Sequence, residues 1–534
     1  VCIFTLSRFR TYCKWKMGLG ENFFQKRTFS KFALRRRAHW LRRLGGGIKA
    51  SMSLPEPDFD AFARAYDAGA GALAWRWAPA DLVTPVAAYL KLCSGAERPN
   101  SFLFESVEGG AHLGRYCLIG LEPDLVWEAP AQGAAEGLRA LIAASRIGGL
   151  PPGLPPAAAG GLFGMLGYGV ARWAEPRVKE TNPDPLALPT ARLIRPGLLA
   201  VFDTVMQRIC LSAPAYPAPG MAARAAWDAA HGRLTDAAAR LAGAIPPMNH
   251  ASALTAPLPV ACAFGQSEYE AAVCTAKAHI FAGDIFQVVP SRRFSVPFDL
   301  PPFALYRALR ALNPSPFLFH MAMDGWALVG SSPEVLVRLQ DGVVTIRPLA
   351  GTRPRGADAP ADAVLEADLL ADAKERAEHL MLLDLGRNDV GRVAKVGSVE
   401  VPARFVVERY SHVMHISSTV TGRLRTGCDA VDALLAGFPA GTVSGAPKVR
   451  AMEIIDDLEP VARSFYGGAV GYFGANGGMD TCIALRTGLV KDGALYIQAG
   501  AGIVAASDPA TEYAETEHKA RALVAAAEAA VSRP

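Results

Sequence analysis

Histidine is scarce in this 534-residue chain, with ten in all, and the nine cysteines (2, 13, 93, 117, 210, 262, 274, 428, 482) contain no C-x-x-C pair. An odd, scattered set argues against a disulfide framework or a zinc site and suits a reducing compartment. An uncharged stretch between Arg146 and Arg172 holds four prolines (151, 152, 155, 156) and eight glycines, which a lipid-facing helix does not tolerate. No membrane span is expected. Acidic residues are almost missing from one end. Residues 1–51 carry thirteen Lys/Arg against Glu21 alone, a net +12, so the rest of the +5 chain is mildly acidic at −7. Such an arm can bind nucleic acid or anionic lipid, and it also resembles a transit peptide. The chain opens on valine, however, and Met52-Ser-Leu-Pro-Glu reads as a natural start. Residues 1–51 are therefore expected to be a basic extension, disordered or outside the working protein, and neither nucleic acid nor membrane is expected as a partner.

What is present points to two halves. Length alone suggests two domains or one large composite. Helical spacing marks 82–95, an alanine-rich helix covers 222–241, and 101–107, 113–129 and 196–211 read as strands, the last broken at Phe202-Asp203-Thr204. Residues 244–259 contain four prolines and no charge, and read as the linker between a segment at 52–245 and one at 262–534. The second segment mixes helices at 268–282, 302–312, 361–384, 429–436, 447–457 and 511–530 with strands at 284–295, 325–339, 343–347, 397–401, 412–422, 466–473, 480–490 and 494–500. The short turn Lys491-Asp492-Gly493 reads as a hairpin. Close returns of this kind favour an α+β fold: antiparallel sheets packed as a sandwich with flanking helices.

Chemistry concentrates in the second segment. Gly437-Phe-Pro-Ala-Gly441-Thr-Val-Ser444-Gly-Ala-Pro-Lys448 offers small residues for close backbone approach, two hydroxyls and a cation. Ala446 and Pro447 break the phosphate-loop spacing, so a carboxylate is the preferred guest, with a plain turn as the alternative. Glu375 and Glu378 lie three apart on a helix with Leu369, Leu370, Leu380 and Leu383 as its apolar face, and Glu512 and Glu515 repeat the spacing on the last helix. Asp508 caps that helix and Pro509 opens it. Four acids without a His/Cys cluster suit Mg²⁺, although surface glutamates at this spacing are also common. His412 and His415 fall on one apolar strand and face opposite ways, leaving one free for proton transfer. Arg347, Arg353, Arg355 and the strand residue Arg486 suit a carboxylate ligand or, equally, structural salt bridges.

Together these stretches resemble the chorismate-utilising enzymes, nearest to their anthranilate synthase branch (the large, aminase subunit). The resemblance rests on Gly283-Asp-Ile-Phe-Gln287-Val-Val-Pro-Ser291, Pro348-Leu-Ala-Gly-Thr-Arg-Pro-Arg355, Glu378-His-Leu-Met-Leu-Leu-Asp-Leu-Gly-Arg-Asn-Asp389, His412-Val-Met-His415, the 437–448 loop, Tyr466-Gly-Gly-Ala-Val-Gly471 and Asp508–Lys519. It spans about residue 70 to the end and is dense over 265–525. It implies that chorismate and ammonia become anthranilate and pyruvate with Mg²⁺ on Glu378 and Glu515, near Glu375 and Glu512. Thr442, Tyr466, Arg486, Gly500 and Gly502 would bind substrate, and His415, Glu334, Gln287 and Thr352 would form the catalytic set. Glu334 would protonate the leaving C4 hydroxyl and His415 would take the C2 proton.

Two positions separate relatives within this family. Gln287 stands where the water-activating lysine of isochorismate and salicylate synthases would be, which favours ammonia as nucleophile. Ala350 replaces the nucleophilic lysine common in aminodeoxychorismate synthases, which makes the para-aminobenzoate branch the alternative. The resemblance extends to the first segment. Leu103-Phe104-Glu105-Ser106 and Asn313-Pro-Ser-Pro316-Phe317 resemble the two halves of a feedback site for tryptophan, with Glu105, Ser106, Arg115, Pro316 and Phe317 as its residues. The 52–245 segment would be regulatory and the 262–534 segment would bind chorismate. No cysteine sits in the Gly-x-Cys-x-Gly turn of class I amidotransferases, so ammonia is expected from a separate glutamine amidotransferase subunit, in a heteromer such as a heterotetramer, or from free ammonium, in the cytoplasm. A binding protein built on an inactive scaffold with a basic arm is the reading from another class.

Overall fold

The computed structural model describes residues 57–95, 97–108, 112–247, 256–410 and 413–532. The basic extension at 1–51 and His412 lie outside the described residues. Residues 55–534 cluster as one compact unit.

Among the described residues, nineteen strands join in one continuous hydrogen-bonded sheet, and every pairing between these strands is antiparallel. Strands of the first segment form a block between two blocks of the second. Ser101–Glu105 pairs with Phe317–Ala322, placing Leu318 opposite Glu105, and Gly161–Leu166 pairs with Ala469–Gly474. The proline-rich stretch at 244–259 thus separates two compositions along the chain, while the segments on either side of it build a shared sheet.

The sheet turns back on itself through the long strands Tyr116–Glu128 and Ala191–Asp203 to make a two-layer sandwich. Phe102 from one layer stacks on Phe163 of the other with ring centroids 4.6 Å apart, and Leu73, Met165, Met321, Val470 and Leu489 fill the same interior. Helices Pro85–Leu92, Ala223–Ala242, Pro302–Leu312 and Pro509–Ser532 cover one outer face. Helices Ala134–Ala144, Ala373–Val393 and Ala430–Gly437 cover the other. This is the α+β sandwich with flanking helices expected from the sequence.

Local signals account for much of it. Asp492 and Gly493 both take positive φ (51° and 73°) between Thr487–Lys491 and Ala494–Gly500, the two-residue turn whose twist matches a hairpin. The Thr511 amide donates to Asp508 Oδ1 at 2.9 Å, the expected cap of the last helix.

Several expectations change. The strands read as 284–295 and 325–339 are each two, Gln287–Val288 with Ser291–Pro297 and Trp326–Ser332 with Val335–Gln340. The helix read as 361–384 is two, Ala359–Ala371 and Ala373–Val393, because Asp372 is extended and its carboxylate accepts from the Lys374 and Glu375 amides. The apolar face of the second helix is Leu382, Leu383, Val390 and Val393, whereas Leu380 is exposed. The strand read as 480–490 is also two, Met479–Ile483 and Thr487–Lys491, with Arg486 in the gap at φ 47°.

Candidate active site

The site lies where the strand Leu349–Pro354 meets Val413–Arg423 and the loop 438–446. Pairing sets Thr352 against His415. His415 Nδ1 lies 2.9 Å from the Gly351 carbonyl and 3.1 Å from Thr352 Oγ1. A carbonyl only accepts, so Nδ1 carries the hydrogen and Nε2 keeps its lone pair. Burial, helped by the Arg486 cation, lowers the imidazole pKa to about 4 against the opposing pull of the Gly351 carbonyl. At neutral pH it is a neutral base with one nitrogen available.

Two residues from the Gly351 carbonyl, the Leu349 amide donates to Glu334, whose Oε2 also accepts from Thr442 Oγ1 at 3.1 Å. Glu334 occupies the short link between Trp326–Ser332 and Val335–Gln340, and only 6% of its surface is exposed. Burial outweighs both hydrogen bonds and raises its pKa to about 8. A carboxylic acid and a neutral imidazole thus share one short strand as their scaffold.

On the facing side, Gln287 Nε2 approaches Glu378 Oε1 at 3.4 Å. Burial raises the Glu378 pKa, and the neighbouring charges of Glu375 and Glu515 raise it further. Glu512 is raised by burial and by Glu515. Carboxyl groups of the two helices thus feel one another's charge, Glu378 that of Glu375 and Glu515, and Glu512 that of Glu515. Among the described residues no group of three or more His, Cys, Asp or Glu is placed to hold a metal ion. Arg292 fixes the rotation of the last helix. It is buried, donates to Thr516 Oγ1 at 3.0 Å and lies 4.0 Å over the Tyr513 ring.

The remaining wall is glycine and tyrosine. The Tyr466 hydroxyl accepts from the Gly500 amide, and a Cβ on Gly500 would stand 2.8 Å from the Pro290 carbonyl and 3.0 Å from that hydroxyl. A Cβ on Gly502 would stand 2.7 Å from Gln287 Nε2. Arg486 is half-buried, and among the described residues it stands in no carboxylate salt bridge; burial lowers its pKa, opposed by the Tyr410 phenol. A guanidinium so placed calls for an anionic ligand.

Other cations resolve as structure. Arg353 pairs with Asp368 at 2.6 Å and Asp372 at 2.8 Å, Arg355 with Asp362 at 2.5 Å, and Arg347 with Glu408. Lys448 of the 437–448 loop is bound to Asp389 at 2.9 Å, and Ser444 donates to the Ala440 carbonyl. That loop thus sends Thr442 toward Glu334 and keeps its lysine for its own anchoring.

Elsewhere in the sheet, strand pairing sets Glu105 opposite Leu318, the residue after Phe317. The buried Glu105 carboxylate accepts from the Tyr306 hydroxyl at 2.5 Å and from Arg310 at 2.6 and 3.0 Å. Arg115 turns to Asp203 at 3.1 Å. Sequence reading passed over the Gly351 carbonyl, Arg292, and the buried ion pair of Glu459 with Arg463.

Residues 102–525 match the family model for chorismate binding enzymes. The chain is 53% identical over 490 residues to anthranilate synthase component 1 of Cereibacter sphaeroides, covering 88% of this chain and 97% of that protein. It is 47% identical over 463 residues to the component 1 of Pseudomonas aeruginosa, covering 83% and 93%. Among solved structures, anthranilate synthase component I from Streptococcus pneumoniae superposes with a TM-score of 0.68 at 34% identity, covering 77% of this chain and 92% of that one. The menaquinone-specific isochorismate synthase of Escherichia coli shares the fold, with a TM-score of 0.67 at 21% identity over 93% and 99%. The buried acid, the neutral imidazole, the mutually repelling glutamates and these likenesses agree: the chain belongs to the chorismate binding enzymes, in their anthranilate synthase component 1 branch.

Proposed function

We propose that the chain is the component 1 of an anthranilate synthase and converts chorismate and ammonia to anthranilate and pyruvate, the first step toward tryptophan. The observation that carries this reading is the Glu334–His415 pair on one scaffold strand, an acid that holds its proton up to about pH 8 and a base that is neutral above about pH 4. As ammonia attacks C2 of the ring, both ring double bonds shift, to C1–C6 and C4–C5, and the C4 hydroxyl leaves as water with a proton from Glu334. His415 Nε2 then removes the proton from C2. The C2–H electrons complete the aromatic ring, and the C3–O bond breaks to release the enolpyruvyl group, which takes up a proton as pyruvate.

Arg486, Tyr466 and the Gly500–Gly502 backbone are the partners proposed for the enolpyruvyl carboxylate. Glu378 and Glu515 would hold Mg²⁺, with Glu375 and Glu512 beside them. The mutual repulsion of these carboxyls is what a divalent cation relieves, and two protein carboxylates with substrate and water completing the shell suit Mg²⁺. Bound there, Mg²⁺ supplies positive charge to the ring carboxylate of chorismate. Gln287 orients Glu378 through its amide and carries no water-activating amine. Ala350 leaves no amine for a covalent adduct, and with relatives named anthranilate synthase component 1 the para-aminobenzoate branch is not favoured.

The partner would be a glutamine amidotransferase supplying ammonia, and the heteromer would work in the cytoplasm, where the free thiols among the described cysteines are stable. Tryptophan would bind between Glu105–Ser106 and Pro316–Phe317 and bias the sandwich toward a less active arrangement. No helix among the described residues is long and apolar enough to cross a membrane. With purified protein, chorismate, Mg²⁺ and ammonium salt, blue-fluorescent anthranilate should form, stop on adding EDTA and resume with excess Mg²⁺. Added tryptophan should slow it. Turnover indifferent to EDTA would remove the metal from this reading, and indifference to tryptophan would remove the feedback site.

A further inference from the structure

Two loops carry substrate-facing groups of the site, and one buried cation ties them together. Arg463 is 2% exposed and lies in the turn after helix Lys448–Leu458. Its Nη1 donates to the Val443 carbonyl at 2.6 Å, next to Thr442. Its Nη2 donates to the Val289 carbonyl at 2.5 Å, two residues from Gln287. Its charge is met by Glu459, also buried, at 2.5 Å from Nη2 and about 3 Å from Nε. Glu459 Oε1 in turn accepts from the Ser291 amide at 2.7 Å and the Ser291 hydroxyl at 2.8 Å, so the ion pair holds the second loop at two points. The guanidinium also lies 5.5 Å from the centre of the Tyr466 ring. Directly between the loops, the Val289 amide donates to the Ser444 carbonyl at 3.0 Å.

We propose that Arg463, balanced by Glu459, is a positioning residue for the reaction, a fork that sets the distance between the Thr442 loop and the Gln287 loop. Only a planar group with several fixed donors reaches two carbonyls on different segments and a carboxylate at once. A lysine keeps the charge but has one compact ammonium and loses the span. The buried charge is expensive to place in a protein interior and is compensated within the turn itself, so its energetic return is geometric order rather than net stability. This inference rests on the reading of Glu334 and Thr442 given above.

The test compares Arg463→Lys and Glu459→Gln with the wild-type chain. Hydrogen exchange should quicken in peptides spanning 286–291 and 441–446 in both variants and leave the 491–494 hairpin unchanged. Turnover of chorismate with ammonium should fall on the order of a hundredfold in kcat/KM, the cost of a displacement of about 1 Å at a site. The alkaline limb of the pH–rate profile should move to higher pH, because the Thr442 bond that favours ionised Glu334 is loosened. A variant that only loses stability would lower Tm and leave this limb in place. Unchanged exchange in both loops overturns the proposal, whatever the turnover. Failure of the wild-type chain to make anthranilate would instead strike at the function, and exchange would still decide the role of Arg463. If Arg463→Lys does not fold, Glu459→Gln gives the same readouts, with the same exchange result overturning the proposal.

Discussion

Glu334→Gln is expected to lower kcat on the order of 10²–10⁴-fold, the range for loss of a positioned general acid. Glutamine fills the same volume and can accept from Thr442 and Leu349, so the pocket keeps its shape while the transferable proton is lost. The pH profile separates this from a binding defect. At constant free ammonia, the wild-type rate should hold below about pH 8 and decline above it, as the acid form of Glu334 is titrated away. The glutamine variant should show no such limb. Stability should move the opposite way. Folding raises the Glu334 pKa from 4.5 to about 8. Its contribution is therefore fully present below pH 4.5 and is lost as pH rises to about 8, at up to about 1.4 kcal/mol per pH unit. The variant escapes that loss, so its Tm relative to wild type should rise between pH 5 and pH 8. A variant with unaltered kcat would remove Glu334 from the chemistry.

His415→Asn should separate the two halves of the reaction. The first half needs Glu334 and ammonia, and the second needs a base at C2. With the imidazole gone, chorismate and ammonia should still combine, while pyruvate release falls on the order of 10²–10⁴-fold. The expected result is an aminated, non-aromatic product that retains its enolpyruvyl ether, seen by chromatography before any anthranilate. Asparagine can still donate toward the Gly351 carbonyl, so the strand pairing of Thr352 with His415 should survive the change. Chorismate consumption and pyruvate release falling together would show that His415 acts earlier than proposed.

What the sequence revealed followed the range of the interactions involved. The helix Pro302–Leu312, the Asp492-Gly493 turn and the Asp508 cap are decided by neighbours a few residues away, and each was readable from pattern and turn chemistry. The helix break at Asp372 was missed although Asp372 is local, because the apolar period runs through it. The capping bonds and the Arg353 pairing are what turn the chain there.

Remote pairings were the hidden part. The Lys448–Asp389 ion pair joins residues 59 apart and the Arg463–Val289 bond residues 174 apart. Nothing near Lys448 in the chain signals that its charge is already taken. The interleaving of the two segments was hidden for the same reason, since Glu105 and Leu318 become neighbours only through strand pairing. Motif resemblance singled out His415, Glu334, Glu378 and Glu515. The sequence held no sign of the Gly351 carbonyl that selects the His415 tautomer, because a backbone group leaves no mark in side-chain pattern.

The most direct measurement is the destination of nitrogen. Purified chain, chorismate, Mg²⁺ and ¹⁵N-ammonium should give 2-aminobenzoate carrying ¹⁵N and one equivalent of pyruvate, identified by NMR. A 4-amino product, or an aromatic product without ¹⁵N, would contradict the account at its centre.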